Sequence, residues 1–181
     1  LIPFIFTFSN INTQPMKKIF LLLITTILTL NIVHAQTGWI NYKIDNKFSV
    51  KLPSQPGDVQ GSHIARGKDS VVYIITEVDF VKVAGIDSAT LVPMAPTQDF
   101  ANSIKTGMLG QMPGFTLGDI NVGKWNQLVS YHVEGENTEK RIKTFSFMIV
   151  QGSHFYSLTT IVPYGKDTKS KDVFFESLVL N

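Results

Sequence analysis

Between residues 47 and 52 apolar and polar side chains alternate: Phe48, Val50 and Leu52 against Lys47, Ser49 and Lys51. A period of two predicts a strand with one buried face. A second run, 39–44, lies across Asp45-Asn46, a two-residue pair suited to a turn with positive φ. Pro53 and Pro56-Gly57 end the pattern, 59–64 reads as a short edge strand, and 70–80 reads as a stronger one rich in β-branched and aromatic residues. The stretch 81–96 shows no period and is interrupted by Gly85, Pro93 and Pro96. Thr97 then reads as a helix N-cap with Asp99 in the first turn. Phe100, Ile104 and Met108 follow at spacing four, widened by Ala101 and Leu109, which predicts an amphipathic helix of about three turns closing at Gly110.

Strand-like runs resume at 115–122, 125–134, 140–151 and 154–162. Gly152-Ser153 joins the last two and suits a type II′ hairpin. A two-residue loop fixes register, setting Val150 opposite Phe155, Ile149 opposite Tyr156 and Phe147 opposite Leu158. Phe145, Phe147, Ile149, Tyr156 and Leu158 are therefore expected on one core face, with Met148, Ser157, Ser146 and Thr159 on the other. The run 166–180 reads as a short terminal helix capped by Thr168 or Ser170 and carrying Phe174, Phe175 and Leu178. Strands, a helix, a meander of strands and a second helix describe an α+β fold with a mostly antiparallel sheet.

The hydrophobic pattern of the first 35 residues is of another kind. From Met16 the chain reads Lys17-Lys18, an apolar run at 19–30, then Val33-His34-Ala35. That is the pattern of a secretory signal peptide, expected to be cleaved after Ala35. Twelve residues give roughly 18 Å of helix, short of the ~30 Å hydrocarbon core, so no membrane span is expected to remain after cleavage. Residues 1–15 lie upstream of this signal and are expected to be a gene-boundary error, with translation starting at Met16. Residues 36–181 are expected to form a single domain, exported to the periplasm or secreted.

Removing the signal changes the charge. The full 181 residues carry +2, and both excess lysines are Lys17 and Lys18, so the exported chain is neutral. A neutral chain has no compositional support for binding nucleic acid. With no cysteine, a disulfide framework, a thiolate nucleophile and cysteine-ligated metal are all excluded.

Candidate chemistry is sparse. His63, His132 and His154 fall in separate segments without zinc-ligand spacing. The stretch 61–70 superficially suggests a phosphate loop, but Asp69 stands at the hydroxyl position and a strand follows, so it reads as a hairpin loop. Glu134, Glu136 and Glu139 gather around Gly135, a weak candidate for a calcium loop that lacks the twelve-residue spacing. Phe100, Met108, Leu109 and Met112 are candidates for an adaptable apolar groove or partner surface, or for ordinary packing of helix on sheet. No motif calls for a cofactor or assigns a catalytic residue.

Several of these runs together resemble the superfamily that includes the PsbP extrinsic subunit of photosystem II and the Ran-binding Mog protein. The resemblance is carried by Phe48-Ser49-Val50-Lys51-Leu52-Pro53, by the helix with Phe100 and Ile104, by His154-Phe155-Tyr156-Ser157-Leu158-Thr159, and by Asp172-Val173-Phe174-Phe175-Glu176-Ser177-Leu178. It implies an α/β/α sandwich around a central, mostly antiparallel sheet with two to three helices. It also implies a non-enzymatic accessory or binding domain that docks on an envelope protein or assembly. The alternatives are a carrier holding an apolar small molecule between helix and sheet, and a hydrolase built from the dispersed histidines, serines and carboxylates.

Overall fold

The structure, a computed structural model, describes residues 38–166 and 169–181, all within one unit of the chain, His34–Asn181. The proposed signal at 16–35, the leader 1–15 and the candidate cap Thr168 lie outside the described residues. In chain order the first strands are β1 (Ile40–Lys43), β2 (Phe48–Leu52), β3 (Gly57–Val59), β4 (Ser62–Arg66) and β5 (Val72–Asp79). Three helices follow, α1 (Phe80–Ala84), α2 (Ser88–Met94) and α3 (Gln98–Gln111). Then come β6 (Thr116–Leu117), β7 (Asn121–Trp125), β8 (Leu128–Asn137), β9 (Ile142–Gln151), β10 (His154–Pro163), α4 (Lys169–Glu176) and β11 (Val179–Leu180).

The central sheet runs β3-β4-β5-β10-β9-β8 with every pair antiparallel, and β6 and β7 both add to the far side of β8. A smaller sheet, β1-β2-β11, lies over one face. Between the two sheets Phe48, Val50 and Leu52 of β2, each at most 1% exposed, meet Phe147, Ile149, Tyr156 and Leu158. The Phe48 and Tyr156 rings pack edge to face at 4.6 Å. At roughly 1.5–3 kcal/mol for each large apolar side chain buried, the three β2 residues contribute on the order of 5–9 kcal/mol gross. α4 completes this layer, its buried Phe174 against Tyr73 at 5.2 Å. The opposite face is covered by α1–α3. There Leu91, Ala95 and Ala101 bury against Tyr131, Val133, Met148 and Val150.

The α+β sandwich with its antiparallel central sheet is thus present, and one outer layer combines α4 with a second sheet. The β9–β10 register is the expected one, Val150 opposite Phe155 and Ile149 opposite Tyr156, about a turn in which Gly152 takes φ 61°. The other face of that hairpin is not left open throughout: Met148 is 1% and Ser146 4% exposed.

Several local expectations are corrected. Four residues, 44–47, connect β1 to β2 in place of the expected two, and none has a positive φ. Asp45 Oδ1 accepts from the amides of Lys47 and Phe48 at 2.7 and 2.8 Å, so a side chain closes the turn in place of special backbone angles. Residues 59–64 are not one strand, because Gln60 and Gly61 adopt φ 51° and 81° and fold them into the β3–β4 hairpin; the loop expected at 61–70 therefore begins only after β4. Asn126 and Gln127, at φ 46° and 67°, break the run 125–134 into the end of β7 and the start of β8. The two extra helices, making four among the described residues, fall in the aperiodic stretch. Asp79 and Asp87 cap them by accepting from the amides of Val81 and Thr90. Finally, α3 runs through Gly110 to Gln111, and Leu178 follows α4 instead of lying within it.

Candidate functional site

α3 begins where Thr97 accepts from the amide of Phe100 at 3.2 Å, and its stripe turns toward the sheet. Phe100 sits 6.2 Å from both Phe80 and Tyr131, ring centre to ring centre, and with Met108 packs on the helix-side core. Met112 is half-buried beyond the helix end, and Leu109 is 38% exposed. Of the four candidate groove residues, then, Phe100 and Met108 meet in the helix–sheet packing and Leu109 presents itself to solvent. Tyr131 fastens this layer, since its buried hydroxyl donates to the Ala95 carbonyl at 2.5 Å. Burial holds the Tyr131 hydroxyl well above the usual tyrosine range.

The three glutamates are spread along a strand and a turn. Glu134 and Glu136 lie on β8, two residues apart and on one face, while Glu139 belongs to the turn after it. Glu136 accepts from the Tyr164 hydroxyl at 2.8 Å, which raises the tyrosine's pKa. Among the described residues no three His, Asp or Glu side chains are grouped to hold a metal ion.

The histidines each find a separate partner. His63 on β4 pairs with Asp58, His154 at the start of β10 meets Glu77 at 2.8 Å, and His132 on β8 lies 4.7 Å from the Phe147 ring. Desolvation lowers the His132 pKa. Four strand spacings of about 4.8 Å separate β4 from β8, so His63 and His132 stand roughly 19 Å apart. The structure does not bring the three together.

It does assemble a polar group that has no local signal in the sequence. Tyr156, buried at the sheet–sheet interface, donates to Asp45 Oδ2 at 2.7 Å across 111 residues of chain. Burial raises the Asp45 carboxyl, but the bonds from Tyr156, Lys47 and Phe48 outweigh it, and the net pKa is below the ordinary value. Tyr156 moves strongly upward through burial, then through its bond to Asp45. The His154 ring stacks 6.1 Å from Tyr156, placing the His154–Glu77 pair beside it. Every ionisable group here is held by another, an arrangement that locks the β1–β2 loop to β10.

The helical layer carries the opposite feature. α1 is capped by Asp79 and closed by Gly85 at φ 68°, and Phe80, Val81, Val83 and Ala84 make four of its five residues apolar. None of the five is buried; Val81 is 49% and Val83 67% exposed. On α2, Val92 is 51% exposed. No helix among the described residues is long and apolar enough to cross a membrane.

No protein-family model and no curated protein matches the chain. Solved structures are similar at low identity. One from Bacteroides thetaiotaomicron has a TM-score of 0.47 at 13% identity over 74% of this chain, which spans only 45% of that longer protein. A Pseudomonas aeruginosa protein of unknown function gives 0.44 at 15% identity, covering 74% of this chain and 88% of that one. The PsbP protein of the cyanobacterium Synechocystis sp. PCC 6803 gives 0.49 at 12% identity, covering 84% of this chain and 99% of that one. A PsbP structure thus stands among the similar folds, and the likeness is one of fold alone.

Proposed function

We propose that the chain is an exported, non-catalytic accessory module that docks on an apolar surface of an envelope protein or assembly through α1 and α2. The observation that carries this reading is α1 itself, a helix four-fifths apolar that buries none of its residues. Burying Val81, Val83 and Val92 against a partner gains roughly 1 kcal/mol or more for each, on the scale of aliphatic transfer. The signal-like segment at 16–35 supplies the route to the envelope. A carrier role is the weaker reading, because Leu91, Ala101 and Met148 fill the space between helices and sheet to within 1% of full burial.

A photo-reactive phenylalanine analogue placed at Val83, with Lys51 on the smaller sheet as control, tests the reading in intact cells of the host. The expected result is an adduct of one discrete mass from position 83 and none from position 51. No adduct at 83, or the same adducts from both positions, overturns it.

A further inference from the structure

On the face of the central sheet away from α1–α3, the ends of β8, β9 and β10 border an open cleft of about 590 Å³. Its lining includes Phe145, Val162 and Pro163 as apolar surface and Lys143, Lys166 and Glu136 as charges. Strand alternation sets Lys143 and Phe145 on one face of β9, and Glu136 stands directly across from Lys143 on β8. That pair would be expected to neutralise itself. Instead Glu136 accepts from Tyr164, and neither Lys143 nor Lys166 has an ion-pair partner among the described residues. A third ammonium is close: Lys171 of α4 sits 4.6 Å above the Phe145 ring and pairs with Asp172 at 2.7 Å. The cleft therefore combines an aromatic floor, an aliphatic wall, two uncommitted ammonium groups and a single carboxylate that is already engaged. Its volume is within the range of small-molecule sites, roughly 300–1,000 Å³.

We propose that this cleft binds a small organic anion that carries its charge on an aromatic or aliphatic body. The anionic head meets Lys143 and Lys166, and the body lies between Pro163 and the part of the Phe145 ring that Lys171 leaves open. A fully polar anion gains nothing from the part of the Phe145 ring that Lys171 leaves open, and a neutral apolar ligand leaves the lysines uncompensated. Discrimination therefore depends on both halves of the ligand. The site is on the other side of the sheet from α1, so its failure leaves the docking reading untouched.

Benzoate is the probe, with benzamide as the uncharged isostere and acetate as the charge without the ring. Titrations of the isotope-labelled mature chain are followed through the backbone amides of Phe145, Gly165 and Lys166. Benzoate should saturate with a Kd on the order of 1 mM, with benzamide and acetate each at least about tenfold weaker. The Lys143→Gln/Lys166→Gln variant, both positions being exposed, should keep the wild-type melting temperature and bind benzoate no better than benzamide. Equal binding of benzoate and benzamide overturns the proposal, as does equal binding of benzoate and acetate. So does the absence of any saturable shift by about 20 mM benzoate, or benzoate binding that persists in the double variant.

Discussion

Replacing Tyr156 by Phe removes one hydroxyl from the interface between the two sheets and leaves the ring in place. The lost bond runs to a carboxylate, for which about 1.5–3 kcal/mol is typical. Asp45 keeps two amide donors and some access to water, so the lower half of that range is expected at pH 7, about 1.5–2 kcal/mol. The cost should depend on pH. The folded-state pKa of Asp45 lies below its unfolded value, so its contribution is complete above about pH 4 and is lost as pH falls through the folded value. Once protonated, Asp45 accepts as a neutral group and the Tyr156 bond shrinks to about 0.5–1 kcal/mol. Wild type should therefore lose more stability than Tyr156→Phe between pH 7 and pH 2, closing the gap by roughly 1 kcal/mol. Urea unfolding of residues 36–181 at both pH values measures it, with the m-value checking that the unfolded state is unchanged. A deficit below about 0.5 kcal/mol at pH 7, or one that holds or grows toward acid, would refute the coupling between Asp45 and Tyr156.

Gly135→Ala should destabilise by about 1–3 kcal/mol and release β6, because a Cβ there would stand 2.6 Å from the Thr116 carbonyl oxygen; hydrogen exchange of the Leu117 amide reads this locally. Gln127→Gly should stabilise by up to about 1 kcal/mol in a thermal melt, since Gln127 holds φ 67° in the β7–β8 turn. Mass spectrometry of protein recovered from the host should find a mature N-terminus at Gln36, and a chain that retains Lys17 and Lys18 would remove the export route.

What the sequence made legible was whatever a short window could decide. The β9–β10 register follows from one glycine-led turn between two alternating runs, and Thr97 with the Phe100–Ile104–Met108 stripe marks α3 for the same reason. Two short helices escaped because five and seven residues are too few for a period, and Pro93 within α2 argues against a helix there. The caps Asp79 and Asp87 were the available signal. The smaller sheet escaped for a different reason, since β11 reaches β2 across about 130 residues and its two residues have no pattern of their own. Site chemistry was least legible of all: Tyr156 with Asp45, His154 with Glu77 and Tyr164 with Glu136 are contacts between distant segments. Only the fold sets which carboxylates are engaged and which lysines remain uncommitted.

The docking reading rests on α1, and its most direct test is to make that helix polar. In a Val81→Asp/Val83→Asp variant both changes fall on exposed positions, while Phe80, the residue of α1 that packs on the helix-side core, is kept, so the melting temperature should stay at the wild-type value. Binding of purified residues 36–181 to washed envelopes of the host should then fall at least about tenfold, the equivalent of losing about 1.4 kcal/mol of contact. Undiminished envelope binding by a variant that folds as wild type does would contradict the account.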